Sequence, residues 1–152
     1  MTPSDFIAAV APAAQSSAAK TRIPASFTVA EAALESGWGS SRLAAEGFNL
    51  FGVKADRSWH GPTLTMHTRE FVHCQWVLVP ALWRHYPDWE GCIDDHAAFL
   101  LGNPRYRPAF AHTTGEDFAR AVAAAGYATD PEYANKLCAL IELHHLADLD
   151  KG

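Results

Sequence analysis

The chain is short of charge, of cysteine and of long apolar runs, and each shortage closes off a class of function. Charged residues make up 19% of its 152, the net charge is -5, and the 12 lysines and arginines form no basic run. A nucleic-acid partner needs a basic patch to displace counterions from phosphates, so none is expected. The same acidity argues against electrostatic steering onto an anionic polymer and leaves a shaped groove to supply binding. No stretch approaches the roughly 18 apolar residues of a membrane span, so no membrane insertion is expected. Cys74, Cys92 and Cys138 lack Cys-x-x-Cys spacing. They read as free thiols packing as small hydrophobes, or as one Cys74–Cys92 disulfide with a thiol left over. The 8 histidines include no His-Glu-x-x-His pair, and the adjacent His144 and His145 point about 100° apart on a helix, so no metal or other cofactor is expected. The serines near residue 40 sit in no nucleophile elbow, which argues against a serine hydrolase. Met1 to Phe6 lack the basic and apolar segments of a signal peptide, so synthesis in the cytoplasm without an export signal is expected. No repeat, low-complexity tract or linker divides the chain, and its length suits one domain over residues 1–152.

What is present is mainly helical periodicity. Thr2 and Pro3 start a first helix through Phe6, Ile7 and Val10, and Pro12 predicts that it stops or kinks there, with a second segment from Ala13 to Arg22. A helix from about Ser26 to Ser36 carries Phe27, Ala30 and Leu34 as one apolar stripe, with Glu31 and Glu35 four apart on another face. Ser40 caps a short helix through Ala45. From Phe48 to Tyr86 the helical spacing disappears. Leu64, Met66 and Thr68 alternate with Thr65 and His67 among glycines, prolines and valines, which predicts a β-hairpin lobe inserted between helical halves. Asp88 then caps a helix from Trp89 to Leu101, Asn103-Pro104 opens a short turn or helix through Phe110, and Thr114 with Asp117 caps a helix ending at Gly126. Asp130, with Pro131 behind it, predicts a last helix running to about Asp148. The fold class is α+β, mostly α.

Glu35 is the residue with the clearest chemistry. Gly37 sits where a left-handed cap ends the helix, so Glu35 lies in the last turn at the negative end of the helix dipole, beside Trp38. Both surroundings disfavour the carboxylate and predict a raised pKa. A carboxylic acid that keeps its proton near neutral pH is what a glycosidase needs to protonate a leaving oxygen.

Ala32-Ala33-Leu34-Glu35-Ser36-Gly37-Trp38-Gly39, then Asn49-Leu50-Phe51-Gly52-Val53-Lys54-Ala55, resembles glycoside hydrolase family 73, the bacterial N-acetylglucosaminidases related to the flagellar rod hydrolase. Trp83-Arg84-His85-Tyr86, Asp95 to Leu100, Asn103-Pro104-Arg105-Tyr106 and Gly126 to Leu137 continue the likeness in family order across about residues 20 to 143. The resemblance implies a lysozyme-like helical domain with a small β lobe, and cleavage of the β-1,4 bond after N-acetylglucosamine in peptidoglycan glycan strands. It implies Glu35 as the general acid and Glu70, on the lobe, as a second carboxylate, with Asp56 and Asp88 as fallbacks. Tyr127 faces the cleft in such a site. Trp38, Asn49, Phe51 and Gly52 form a groove floor, and Tyr133 either packs the last helix or lines the site. Glu31 stands where the family commonly has glutamine, and reads either as a solvated neighbour or as a like charge that raises the pKa of Glu35 further. A wall hydrolase without a leader resembles a toxin delivered into a rival's periplasm, which needs an immunity protein over its cleft, or a phage endolysin. A glycan-binding or assembly module without catalysis is the alternative from another class.

Overall fold

The first helix begins where Thr2 and Asp5 cap each other, the Asp5 N–H donating to Thr2 Oγ1 at 3.1 Å and the Thr2 N–H to Asp5 Oδ2 at 3.4 Å. This α1 (Pro3–Thr21) passes through Pro12 without the predicted stop. Proline removes one N–H, but Pro12 and Ala8, whose carbonyl loses its donor, both lie on the solvent face, where water replaces the bond. Phe6 and Val10 before it and Ala14 and Ser17 after it anchor both halves to the core. The computed structural model describes residues 1–151. It continues with α2 (Ala25–Ser36), α3 (Arg42–Gly47), β1 (Thr63–Val72), β2 (Gln75–Arg84), α4 (Trp89–Gly102), a 3-10 helix (Pro104–Ala111), α5 (Gly115–Ala124), α6 (Tyr133–Leu143) and a final 3-10 helix (Leu146–Asp150).

The helical body is built around α2. Its residues from Ala25 to Ala33 and Ser36 are buried, and α1, α5, α6 and the final 3-10 helix all pack on it. One apolar stripe was therefore too small an expectation: α2 has no solvent face before its last turn. Its N-terminus has no local side-chain cap. Asp150 supplies one from the far end of the chain, accepting the Ser26 N–H at 2.9 Å and the Ser26 hydroxyl at 2.6 Å. That is why the last helix does not run to Asp148. It ends at Leu143, His145 turns left-handed at φ 53°, and buried Leu146 brings the final 3-10 helix back to α2.

The two strands form an antiparallel hairpin in register from Thr63 opposite Arg84 to Val72 opposite Gln75. His73 and Cys74 make its two-residue turn, both at positive φ, the geometry that suits the twist of paired strands. At its base, Arg84 donates to the Lys54 carbonyl, Asp56 and Asp95, and the Tyr86 hydroxyl donates to Asp95 at 2.6 Å. This guanidinium clamp fixes the hairpin to α4. Cys74 is exposed at the hairpin tip, whereas Cys92 is buried in α4 and accepts the Leu50 N–H at 3.3 Å, so all three cysteines are free and no Cys74–Cys92 disulfide exists. Burial pushes the Cys92 thiol up to about 12, which keeps it protonated. Among the described residues no helix is long and apolar enough to cross a membrane, and no three His, Cys, Asp or Glu side chains converge as metal ligands.

Gly115 marks how tightly α5 meets α2. A Cβ there would run into Ser26 Oγ, which Asp150 holds in place, and would stand 3.1 Å from Ser26 Cβ and 3.2 Å from Ile141 Cδ1. Alanine favours a helix over glycine by up to about 1 kcal/mol. Here overpacking, worth about 1–3 kcal/mol, should outweigh it. Gly115→Ala is expected to lower the melting temperature by several degrees, measured by circular dichroism, and an unchanged or higher value would contradict this packing.

Candidate active site

Glu35 occupies the last turn of α2, held there by the way the helix ends. Gly37 takes the left-handed conformation at φ 57° and its N–H bonds to the Ala33 carbonyl, while Ser36 Oγ donates to the Ala32 carbonyl and accepts the Gly39 N–H. The chain leaves the helix abruptly, and Glu35 is left exposed beside a hollow of about 250 Å³ lined by Leu34, Ala128, Thr129, Asp130, Tyr133 and Lys136. Water reaches this residue, yet neighbouring protein still desolvates its carboxylate enough to raise its pKa. The negative charge of Glu31 pushes the same way, while the Tyr133 hydroxyl and His96 pull it back.

Glu31 is no solvated neighbour. Its side chain is 0% exposed, one turn before Glu35, and each of its oxygens is engaged. Oε1 lies 2.6 Å from His96 Nε2 on α4, and Oε2 accepts the Tyr133 hydroxyl of α6 at 2.8 Å. The Tyr127 hydroxyl approaches the same His96 nitrogen at 3.3 Å, and Phe51 stacks on the imidazole with centroids 4.0 Å apart and planes 15° apart. Tyr127 and Tyr133 stack on each other at 5.6 Å. Burial first, and then the carboxylates of Glu31 and Glu35, push both phenols far above their ordinary pKa. Both phenols therefore favour the neutral form, and the Tyr133 hydroxyl donates its proton to Glu31.

A second hollow of about 300 Å³ lies between this cluster and the base of the hairpin, lined by Phe51, Gly52, Val53, Asp56, Arg84, Asp95, His96, Phe99, Tyr106 and Tyr127. Of the expected residues, then, Glu35 and Tyr133 border one hollow, Phe51, Gly52 and Tyr127 border the other, and the buried Glu31–His96 pair lies between them. A wider hollow of about 780 Å³ surrounds Arg22, His112 and Asp150 at the opposite end of α2, away from these residues.

Two expected floor residues go elsewhere. Trp38, at φ 59°, turns its indole edge-on against Phe6 and His144 and borders neither hollow, so it is core packing rather than a sugar platform. Asn49 is 1% exposed, and its amide is spent on backbone, donating to the Val53 and Arg84 carbonyls and accepting the Val53 N–H. No part of that amide is left for an N-acetyl group. It locks the 49–53 turn against β2.

The second carboxylate divides three ways. Glu70 lies on the hairpin face it shares with Leu64, Met66 and Thr68, and Leu64 on that face reaches toward Gly47 of the body. Glu70 meets only Lys54 across 3.8 Å, with both side chains about half exposed. Asp56 borders the second hollow, and hydrogen bonds from Ser58, then the charge of Arg84, hold its carboxyl below the usual range. Asp88 is an N-cap, accepting the Gly91 N–H at 2.7 Å, and is excluded from the site. His96, Asp95, Phe99 and Tyr106 are site-lining residues that the sequence reading left without a role, although they fall inside segments that carry the resemblance.

Residues 11–146 match the Glucosaminidase family, described as mannosyl-glycoprotein endo-beta-N-acetylglucosaminidase. The chain is 38% identical over 142 residues to the peptidoglycan hydrolase FlgJ of Salmonella typhimurium, covering 91% of this chain and 45% of that one. It is 36% identical over 137 residues to the exo-glucosaminidase LytG of Bacillus subtilis, covering 87% and 48%. The chain thus spans about half the length of these relatives. A solved structure of a C-terminally truncated glycoside hydrolase domain from Salmonella typhimurium FlgJ superposes with a TM-score of 0.84 at 36% identity, over 95% of this chain and 98% of that one. The match takes in α2 with its terminal acid, the hairpin and the tyrosine cluster together, and the chain belongs to the glucosaminidase family, glycoside hydrolase family 73.

Proposed function

We propose that this chain hydrolyses the β-1,4 bond after N-acetylglucosamine in peptidoglycan, with Glu35 as the general acid. The observation that carries the proposal is a water-accessible carboxyl at a helix end whose pKa is raised by partial burial and by the Glu31 charge behind it. Family membership and the name of the FlgJ relative support the polymer class. In the reaction Glu35 gives its proton to the glycosidic oxygen as the C–O bond breaks, and water supplies the new hydroxyl at the sugar carbon, its other proton passing to solvent, from which Glu35 is reprotonated. Tyr127 hydrogen-bonds an oxygen atom of the bound sugar, Tyr133 keeps its single proton on Glu31 and holds that carboxylate in place, and Phe51 and Gly52 form the wall beside them. Glu70 approaches from the hairpin to steady the positive charge that develops on the ring. Its exposed pairing with Lys54 is of the kind worth at most about 1 kcal/mol, so it gives way to substrate readily. Asp56, already ionised beside the second hollow, is the candidate that takes this role if Glu70 does not.

The site of action belongs to the same proposal: the wall or periplasm of a target cell, reached as a delivered toxin or as a phage lysin. An immunity protein would have to cover Glu35, and the exposure of that residue is what supports such a plug. Expression of the chain in the periplasm should lyse cells, and harmless expression there would contradict the toxin reading.

Glu35→Gln keeps the shape and loses the proton, so digestion of purified sacculi should fall at least ~100-fold with the melting temperature nearly unchanged. A folded variant with near-normal activity would overturn the assignment. Glu70→Gln and Asp56→Asn separate the second carboxylate. The one that lowers kcat strongly, with sacculus binding unchanged in the Glu35→Gln background, holds the role, and two near-normal variants would leave it to the tyrosines and the substrate's own acetamido group.

A further inference from the structure

Among the described residues nothing covers the hairpin face turned away from the body, and its β2 half is apolar while its β1 half carries Thr63, Thr65, His67 and Arg69. Every second residue of β2 from Trp76 points outward, giving Trp76, Leu78, Pro80 and Leu82, of which Trp76 is 63%, Leu78 68% and Leu82 52% exposed. Phe71 stands opposite Trp76 in the register, 61% exposed, with ring centroids 5.2 Å apart and planes tilted by 48°. Arg69, two residues back on the same face, lays its guanidinium over the Trp76 indole at 5.3 Å. A half-buried antiparallel pair is expected to turn apolar residues inward and polar ones outward. Here the outer row of β2 is wholly apolar. Single exposed apolar side chains are ordinary in soluble proteins, but a contiguous row of them marks a contact surface.

Charge says what kind of contact. The chain as a whole carries -5, yet from Lys54 to Arg84 the cations Lys54, Arg57, Arg69 and Arg84 outnumber the anions Asp56 and Glu70. Lys54 pairs with Glu70 and Arg84 with Asp56 and Asp95, which leaves Arg69 as the cation on the outer face. The aromatic pair at the tip and the guanidinium stacked on it offer two flat apolar faces and a carboxylate-binding group within one small area. Sugar rings present C–H faces that stack on such aromatics, and wall glycan carries carboxylates on its attached peptides.

We propose that the tip and outer face of the hairpin form a docking platform, separate from the cleft, for a carboxylate-bearing glycan strand, with Trp76 and Phe71 stacking on sugar faces and Arg69 binding the acid. The platform rests on the wall polymer being the substrate. It holds a neighbouring strand of the network while the cleft works on another, and it gives an acidic protein a local attraction to an anionic polymer.

The test uses the full chain. Sedimentation with purified sacculi is measured in the Glu35→Gln background, so that binding is read whether or not the wild type cuts. Trp76→Ala and Arg69→Gln change exposed side chains, and circular dichroism confirms their fold. Each should weaken sacculus binding about tenfold, the scale of losing one good contact. With Glu35 restored, digestion of sacculi should fall in parallel while cleavage of short soluble glycan fragments stays within about twofold of wild type. Unchanged sacculus binding in both variants overturns the platform and leaves the proposed activity standing. A wild type that cuts neither substrate overturns the activity, while the binding arm still decides the platform. Loss of binding to anionic lipid vesicles in Trp76→Ala, with sacculus binding intact, also overturns the platform and makes the row a membrane contact.

Discussion

The interaction on which the rest depends is the one made by Glu31. A carboxylate with no exposure is costly to keep unless both oxygens are answered. Here His96 answers one and the Tyr133 hydroxyl the other. Those partners come from α4 and α6, so one side chain ties three helices together at the point where α2 reaches the surface. Removing either partner leaves a buried oxygen without a donor, which costs more than the contact itself contributes. The cluster therefore specifies one arrangement of the body, and that arrangement aims Tyr127, stacks Phe51 on His96 and shapes the hollow beside the hairpin.

The same group sets the chemistry one turn later. Glu35 and Glu31 sit four residues apart on one helix, one open to water and the other sealed from it. Partial burial first, and then the sealed charge, raise the pKa of the open one. One helix thus holds two carboxyls in different environments, as the general acid proposed for Glu35 requires. The facing wall is independent of the cluster in origin. It is positioned by the Arg84 clamp to Asp95 and the Lys54 carbonyl, and by Asn49 holding the turn against β2.

Much of this was legible in the chain. Gly37 after Glu35 announced a helix ending on an acid, and the alternation of Leu64, Met66 and Thr68 announced the hairpin, because both signals are local. What was missed depends on contacts across the chain. Of the two readings of Glu31, the like charge that raises the Glu35 pKa holds, and the solvated neighbour gives way to a fully buried side chain. Its neighbours Val29, Ala30, Ala32 and Ala33 were the sign that this whole turn is enclosed. Trp38 was expected in the cleft floor because the family resemblance implied it, but at φ 59° its ring packs on Phe6 and His144. Pro12 failed to stop α1 because both affected positions face water, and the last helix stopped early because Asp150 is needed at α2. Apart from the apolar neighbours of Glu31, those outcomes have no local signature.

The most direct test is the pH–rate profile of Glu31→Gln. The amide keeps an acceptor for Tyr133 and removes the charge that, after burial, raises the pKa of Glu35. Because a like charge raises the pKa of Glu35, its removal lowers that pKa, and the alkaline limb of kcat, where the acid loses its proton, moves to lower pH. A shift of that limb toward acid in a folded variant, read on soluble glycan fragments, is the predicted result. An alkaline limb in the wild-type position, with the variant folded and active, would contradict the account.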